Sequence, residues 1–236
     1  MQRRRRVWAL AVVLAFVAGT IIGGRARQEE PPVATAPSPG TAHATPAEVR
    51  RTPTIVWRAS RSLGTPTDGR LVRGVHLPAE GADFVTWHPV ADRLPNASGR
   101  RWGSRRLVRR LLSVLRAYRR AHPGAPRVLV GDLSLRHGGP FPPGGEGSHA
   151  SHQNGLDADV YLPRRDRRLR PPLRRTMVDR VLAQDLVDRF VAAGAARIFV
   201  DRRLRLSGPR DVVQHWPRHG DHLHVRLRAR GSGAAR

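Results

Sequence analysis

Apolar positions recur twice with the three-and-four spacing of an amphipathic helix. In the first stretch Leu107, Val108, Leu111, Leu112, Leu115 and Tyr118 share one face, with arginines opposite. Ser104 stands before it as a cap, and His122-Pro123-Gly124 stops it. The second stretch runs from about 172 to 193, with Met177, Val178, Val181, Leu182, Leu186, Phe190 and Val191 as its buried stripe and Gly194 at its end. Between and after these helices come short β-type runs at 127–133 (RVLVGDL), 158–162 (ADVYL), 197–200 (RIFV) and 223–227 (LHVRL). Helices mixed with such strands predict an α+β fold: one domain with a small, mainly antiparallel sheet and flanking helices. Strand order is not legible from the pattern.

Two further segments read differently. Residues 7–22 form a 16-residue apolar run without a charge, preceded by Arg3, Arg4, Arg5 and Arg6. That length lies between a signal-peptide core and the about 20 residues that span a bilayer. Residues 1–24 are therefore expected to be a cleavable signal or a single-pass anchor contacting the membrane, with residues 25–236 exported to the periplasm or cell envelope. Residues 25–52, rich in Pro, Ala and Thr without an apolar period, are expected to be a disordered linker. The folded domain is expected over 53–229, with a disordered tail at 230–236.

Composition changes this picture in two ways. The net charge is +25, and every one of the 43 basic residues is arginine, which resembles the codon bias of a GC-rich genome more than selection for phosphate contacts. With five Phe, two Tyr and no aromatic-rich basic stripe, no nucleic-acid partner is expected. There is no cysteine, which excludes disulfides and thiolate metal sites.

The chemistry concentrates elsewhere. Five of the 11 histidines fall in two patches, HASHQNGLDADVYL (149–162) and HGDHLHVRL (219–227). In a strand, residues two apart face the same way, so His222 and His224 stand side by side. One is able to bind a metal while the other reaches a water at it, and His219 folds over from the approach loop. In the first patch, a turn at Asn154-Gly155 brings His152 and Asp159 to one point. Asp157 shares Asp159's face and is placed to orient a ligand. Two imidazoles and one carboxylate make a three-ligand site with the fourth corner of a tetrahedral zinc open to water. His149 either touches a second metal or a substrate carboxylate, or is loop filler. His215 is read as helix-end surface or site wall, and Asn96-Ala97-Ser98 fits the glycosylation sequon.

These two patches, with SLGTPTDGRLVRGVHLP (62–78) and VGDLSLRHGGPF (130–141), resemble the penicillin-insensitive murein endopeptidases. That family belongs to the wider group of zinc peptidases marked by His-x6-Asp and a later His-x-His. The resemblance covers most of 60–228. It implies Zn2+ held by His152, Asp159 and His224, with His149 also implicated in metal binding, His222 as catalytic base and His219 assisting. The implied activity is hydrolysis of D-alanyl–meso-diaminopimelyl cross-link peptides of peptidoglycan, with no acyl-enzyme. A DD-carboxypeptidase using the same site, or an inactive wall-binding module, are the alternatives. The N-terminal apolar segment and the arginine richness depart from the family's soluble periplasmic members.

Overall fold

The computed structural model describes residues 54–142 and 149–229. The expected signal or anchor (1–24), the linker (25–52) and the tail (230–236) lie outside the described residues. All described residues belong to one compact unit, Arg50–Arg236. Among them, no helix is long and apolar enough to cross a membrane.

Five short strands precede the first helix: β1 (Arg61–Gly64), β2 (Gly69–Val72), β3 (Val75–His76), β4 (Phe84–Thr86) and β5 (Trp102–Gly103). Helix α1 (Arg105–Ala121) leads to β6 (Val128–Val130) and β7 (Asp157–Tyr161). Helix α2 (Arg180–Ala192) is followed by β8 (Ala195–Val200), β9 (Val213–His215) and β10 (His222–Leu227). Six strands form one sheet in the order β4-β6-β7-β10-β8-β9. The three central pairings are antiparallel and the two edge pairings parallel, so the sheet is mixed. The hairpin β1-β2 and the pair β3-β5 are separate small sheets.

Alternation along the two central strands splits the sheet into a dry face and a polar face. Leu223, Val225 and Leu227 of β10 and Ala158 and Val160 of β7 are buried in the core. There they meet Leu107, Leu111 and Leu115 of α1 and Leu182, Leu186 and Phe190 of α2. Each such buried Val, Leu or Phe side chain contributes about 1.5–3 kcal/mol of transfer free energy. The opposite positions of β10 (His222, His224, Arg226) pair in register with Tyr161, Asp159 and Asp157 of β7. All the period-two chemistry of both patches thus projects from one side of a rigid platform.

Helix α1 begins where expected, with the Ser104 hydroxyl accepting the Leu107 N–H at 3.1 Å. Its buried stripe differs by one position: Val114 is buried, and Leu112 is only half-buried. The second helix starts later than its periodicity predicts. Residues after Pro172 run back along the chain, with the Asp179 N–H donating to the Pro163 carbonyl at 2.8 Å and Arg165 N–H to Met177 O at 2.9 Å. These backbone groups are committed to tertiary pairing, so the helix is capped by Asp179, whose side chain accepts from Leu182 N at 3.1 Å. Val181, expected in the buried stripe, is 77% exposed, because the true helical face is set by Leu182, Ala183, Leu186, Val187 and Phe190. Gly194 ends this helix with φ +77°, a conformation glycine adopts at little cost.

Candidate metal centre

His152 lies in the turn that feeds β7 and is fully buried. Its backbone is left-handed, with φ +70°, and Gly155 three residues on has φ +71°. A side chain on Gly155 would meet both Leu71 methyls at 2.8 Å, so the close turn requires glycine there. For histidine the left-handed backbone costs about 1–2 kcal/mol, and the surroundings hold it in place. Its Nδ1–H donates to the Leu133 carbonyl, and its backbone N–H donates to Asp157 Oδ2 at 3.0 Å. Nε2 is turned towards β10, where it meets His224 Nδ1.

Three potential ligand atoms meet there. His152 Nε2 is 3.3 Å from His224 Nδ1 and 3.4 Å from Asp159 Oδ1, and His224 Nδ1 is 3.3 Å from the same oxygen. A tetrahedral site with bonds of about 2.0–2.1 Å has ligand–ligand edges of about 3.3–3.4 Å. Two further observations fit a cation at the triangle. Asp159 Oδ1, at one corner of the triangle, is buried without a hydrogen-bond partner. Both histidines have their second nitrogen turned to an acceptor, the Leu133 carbonyl for His152 and Asp157 Oδ2 at 3.6 Å for His224. That arrangement orients metal-binding imidazoles.

Asp157, fully buried, holds the set together from behind. It accepts Arg226 Nε at 2.7 Å and Nη2 at 3.1 Å, besides the His152 N–H. Burial alone would raise its carboxyl. The facing His224, the His152 charge and the Arg226 fork outweigh that and hold it far below the usual carboxylate range. For Asp159 burial is likewise overcome, by the charge of His152 first and then by His222 and His224, and its carboxyl is also strongly lowered. Burial works against the cationic form of His224, but the facing Asp157 and Asp159 carboxylates raise its pKa to about 9. Without a cation, this histidine carries the positive charge that the two carboxylates demand.

His149 sits at the rim. Its Nε2 is 2.7 Å from Asp132 Oδ2 and 3.8 Å from Asp159 Oδ2, and its ring is 4.4 Å from that of His152. One potential ligand atom each from His149, His152 and Asp159 lies within 4.8 Å of the others, a looser grouping than the triangle. Asp132 also accepts Asn96 Nδ2 at 2.8 Å and both Arg100 Nε (2.8 Å) and Nη2 (2.5 Å). Burial raises the Asp132 carboxyl, but Arg100, His149 and Asn96 pull it below the usual range. Asn96 is 2% exposed and committed to this network, so the sequon asparagine is a structural donor.

On the open side, His222 Nδ1–H donates to Asp221 Oδ1 at 2.7 Å, and its Nε2 is 3.9 Å from Asp159 Oδ1. Burial lowers its pKa, but the Asp159 charge and the Asp221 bond raise it overall. His219 stacks against it at 4.9 Å between ring centroids. Its own pKa is lowered by burial first and then by the His222 charge. His215 is exposed at the sheet edge on β9 and joins none of these contacts.

Asp132, Arg100, Asn96, Asp221 and Arg226 are not among the sequence-predicted residues. Two left a signal. Arg226 continues the same-face alternation of His222 and His224, and Asp221 adjoins His222. Asp132, Asn96 and Arg100 come together only through the pairing of β6 with β7 and a loop packed on it.

A family model described as penicillin-insensitive murein endopeptidase matches residues 62–207. The match contains His149, His152, Asp157 and Asp159 and stops before His219. Relatives carrying that name include proteins of Yersinia enterocolitica (28% identical over 194 residues, 71% of this chain and 66% of the relative) and Escherichia coli O157:H7 (34% over 137 residues, 44% and 46%). Another is from Salmonella arizonae (27% over 197 residues, 72% and 67%). The chain spans about half to two thirds of the length of these relatives.

Proposed function

Because this chain belongs to the penicillin-insensitive murein endopeptidase family, we propose that it is a zinc-dependent endopeptidase hydrolysing the D-alanyl–meso-diaminopimelyl cross-links of peptidoglycan. The observation that carries the reading is the triangle of His152 Nε2, Asp159 Oδ1 and His224 Nδ1, with edges of 3.3–3.4 Å. Its nitrogen-and-carboxylate donors suit zinc, and these three residues would hold it. Bound there, zinc supplies Lewis-acid polarisation and an acidified water, which is hydrolytic chemistry.

The remaining work falls to the protein. Asp221 fixes the ring of His222 through Nδ1, so Nε2 is the atom that accepts the proton of the attacking water and returns it to the departing amine. Asp159 and Asp221 favour the protonated ring, which makes His222 able to hold that proton between the two transfers. His219, kept neutral by burial and by its neighbour's charge, assists by accepting a hydrogen bond from the substrate. His149 is tied to Asp132 through the nitrogen that faces the centre, which favours a rim role over that of a further ligand. Asp157 positions His152 and His224. In this reading the attacking group is water, so no acyl-enzyme forms.

An open cleft of about 830 Å³ beside Asp221 and Tyr161 favours a bulky leaving peptide over the single residue released by a carboxypeptidase. Export to the cell envelope is part of the proposal, supported by the apolar run at 7–22 behind four arginines. The test is incubation of the purified protein with cross-linked muropeptide dimers. Zinc-dependent conversion to monomers is expected. Release of free D-alanine with dimers intact would establish the carboxypeptidase instead, and no reaction with zinc present would refute the assignment.

A further inference from the structure

The cleft beyond His222 has a charge imbalance. Trp87 and Tyr161 line it, together with Arg174 and Arg175 from the segment before α2 and with Arg218 and Asp221. It opens directly off the His222 side of the centre: Tyr161 pairs with His222 in register, with 5.8 Å between their rings, and Asp221 bonds His222 Nδ1. The backbone of Asp201, also in the lining, donates to the His219 carbonyl at 2.9 Å.

The three carboxylates of the lining are all engaged. Asp92 accepts Arg170 Nη2 at 2.8 Å, Asp201 accepts the Arg203 N–H at 2.7 Å, and Asp221 accepts His222 Nδ1–H at 2.7 Å. The side chains of Arg174, Arg175 and Arg218 are exposed and make no hydrogen bond or ion pair among the described residues. Three unpaired guanidiniums around one cleft whose acids are already satisfied form a receptor for a planar anion, because the guanidinium fork matches a carboxylate.

The geometry points to this cleft as the binding site for the leaving peptide, with Arg174, Arg175 and Arg218 anchoring a free carboxylate carried beside the departing nitrogen. The inference rests on the endopeptidase reading and deepens it. His222 protonates the amine as it departs, so the leaving residue lies on the His222 side. In a D-alanyl–meso-diaminopimelyl linkage, the carbon bearing that nitrogen also bears a carboxylate. That group is carried into the cleft, where, among the described residues, only the arginines of the lining offer unspent charge.

The test compares a cross-linked muropeptide dimer bearing this free carboxylate with the same dimer carrying its carboxamide. Binding is followed by calorimetry and turnover by steady-state kinetics on the full-length protein. Wild type should favour the free acid by about tenfold or more in Kd and KM, the scale of one lost charge-assisted hydrogen bond. Arg174→Gln/Arg175→Gln/Arg218→Gln should erase that preference, bringing the free acid's Kd and KM to those of the carboxamide. Equal binding of both dimers by wild type, or a preference that survives in the triple variant, would overturn the inference. Preferential binding of the free acid without cleavage would remove the endopeptidase reading alone and leave the carboxylate site standing.

Discussion

Asp157→Asn isolates the part of the centre that no ligand touches. The side chain keeps its volume and one acceptor, so the His152 N–H at 3.0 Å can still be satisfied. The Arg226 fork, with its two bonds at 2.7 and 3.1 Å, then meets an amide that has no charge and fewer free lone pairs. Each hydrogen bond to a charged group is worth about 1.5–3 kcal/mol, and removing one partner of a buried ion pair costs about 3–5 kcal/mol. The Arg226 side chain is 22% exposed, so water recovers part of the loss, and about 3 kcal/mol is expected. For a domain of this size that lowers Tm by about 6–12 °C. His224 also loses the negative charge 3.6 Å from its Nε2, so zinc affinity should fall about 10- to 100-fold. Competition with a chromophoric chelator measures the affinity, and calorimetry of the metal-free protein measures the stability. Arg226→Met, which leaves the carboxylate in place, should destabilise comparably but weaken zinc binding less. A variant Asp157→Asn that binds zinc as tightly as wild type would show that Asp157 does not position the ligands.

Zinc uptake at pH 7.5 should release about one proton from His224, whose pKa is raised to about 9 in the metal-free protein; calorimetry in buffers of different ionisation heat reads it, and no release would contradict the pairing. The metal-free protein should also be least stable at alkaline pH. The His224 contribution is complete below its ordinary value of 6.5 and is lost as pH rises through about 9, whereas those of Asp157 and Asp159 are present above their ordinary 3.8 and vanish only as pH falls well below it. Urea unfolding from pH 4 to 10 checks this, and an alkaline optimum would refute it. His222→Gln should lower kcat about 10²- to 10⁴-fold with zinc content retained by metal analysis, and loss of the metal would make His222 a ligand. Val181→Ala should change stability by less than about 0.5 kcal/mol and Leu186→Ala by about 2–5 kcal/mol, since the former is 77% exposed and the latter fully buried; equal costs in denaturant titrations would mean that α2 packs on another face.

The asymmetry of the centre explains why two carboxylates on one face of β7 serve different ends. Asp159 has one oxygen without any hydrogen-bond partner and turned to the triangle, whereas both oxygens of Asp157 are filled by Arg226 and His152. The first is available to a cation. The second is spent on positioning.

Local sequence by itself determined the elements whose cause is local. Ser104 caps α1 because a hydroxyl before an apolar period satisfies an orphan N–H, and the alternation of β7 and β10 puts every acid and imidazole on one face because successive strand residues point opposite ways. Tertiary structure alone decided the rest. The α2 start moved from about 172 to Arg180 because backbone groups beside Pro163 and Met177 found partners outside any helix. The sheet order set β7 against β10, so that His152 and His224, distant in the chain, bring nitrogens to 3.3 Å. The Asp132 network and the arginine-lined cleft join loops that no periodicity connects. Spacing specifies which way a side chain faces along its own element; which other side chain it meets is a property of packing, set by every element at once.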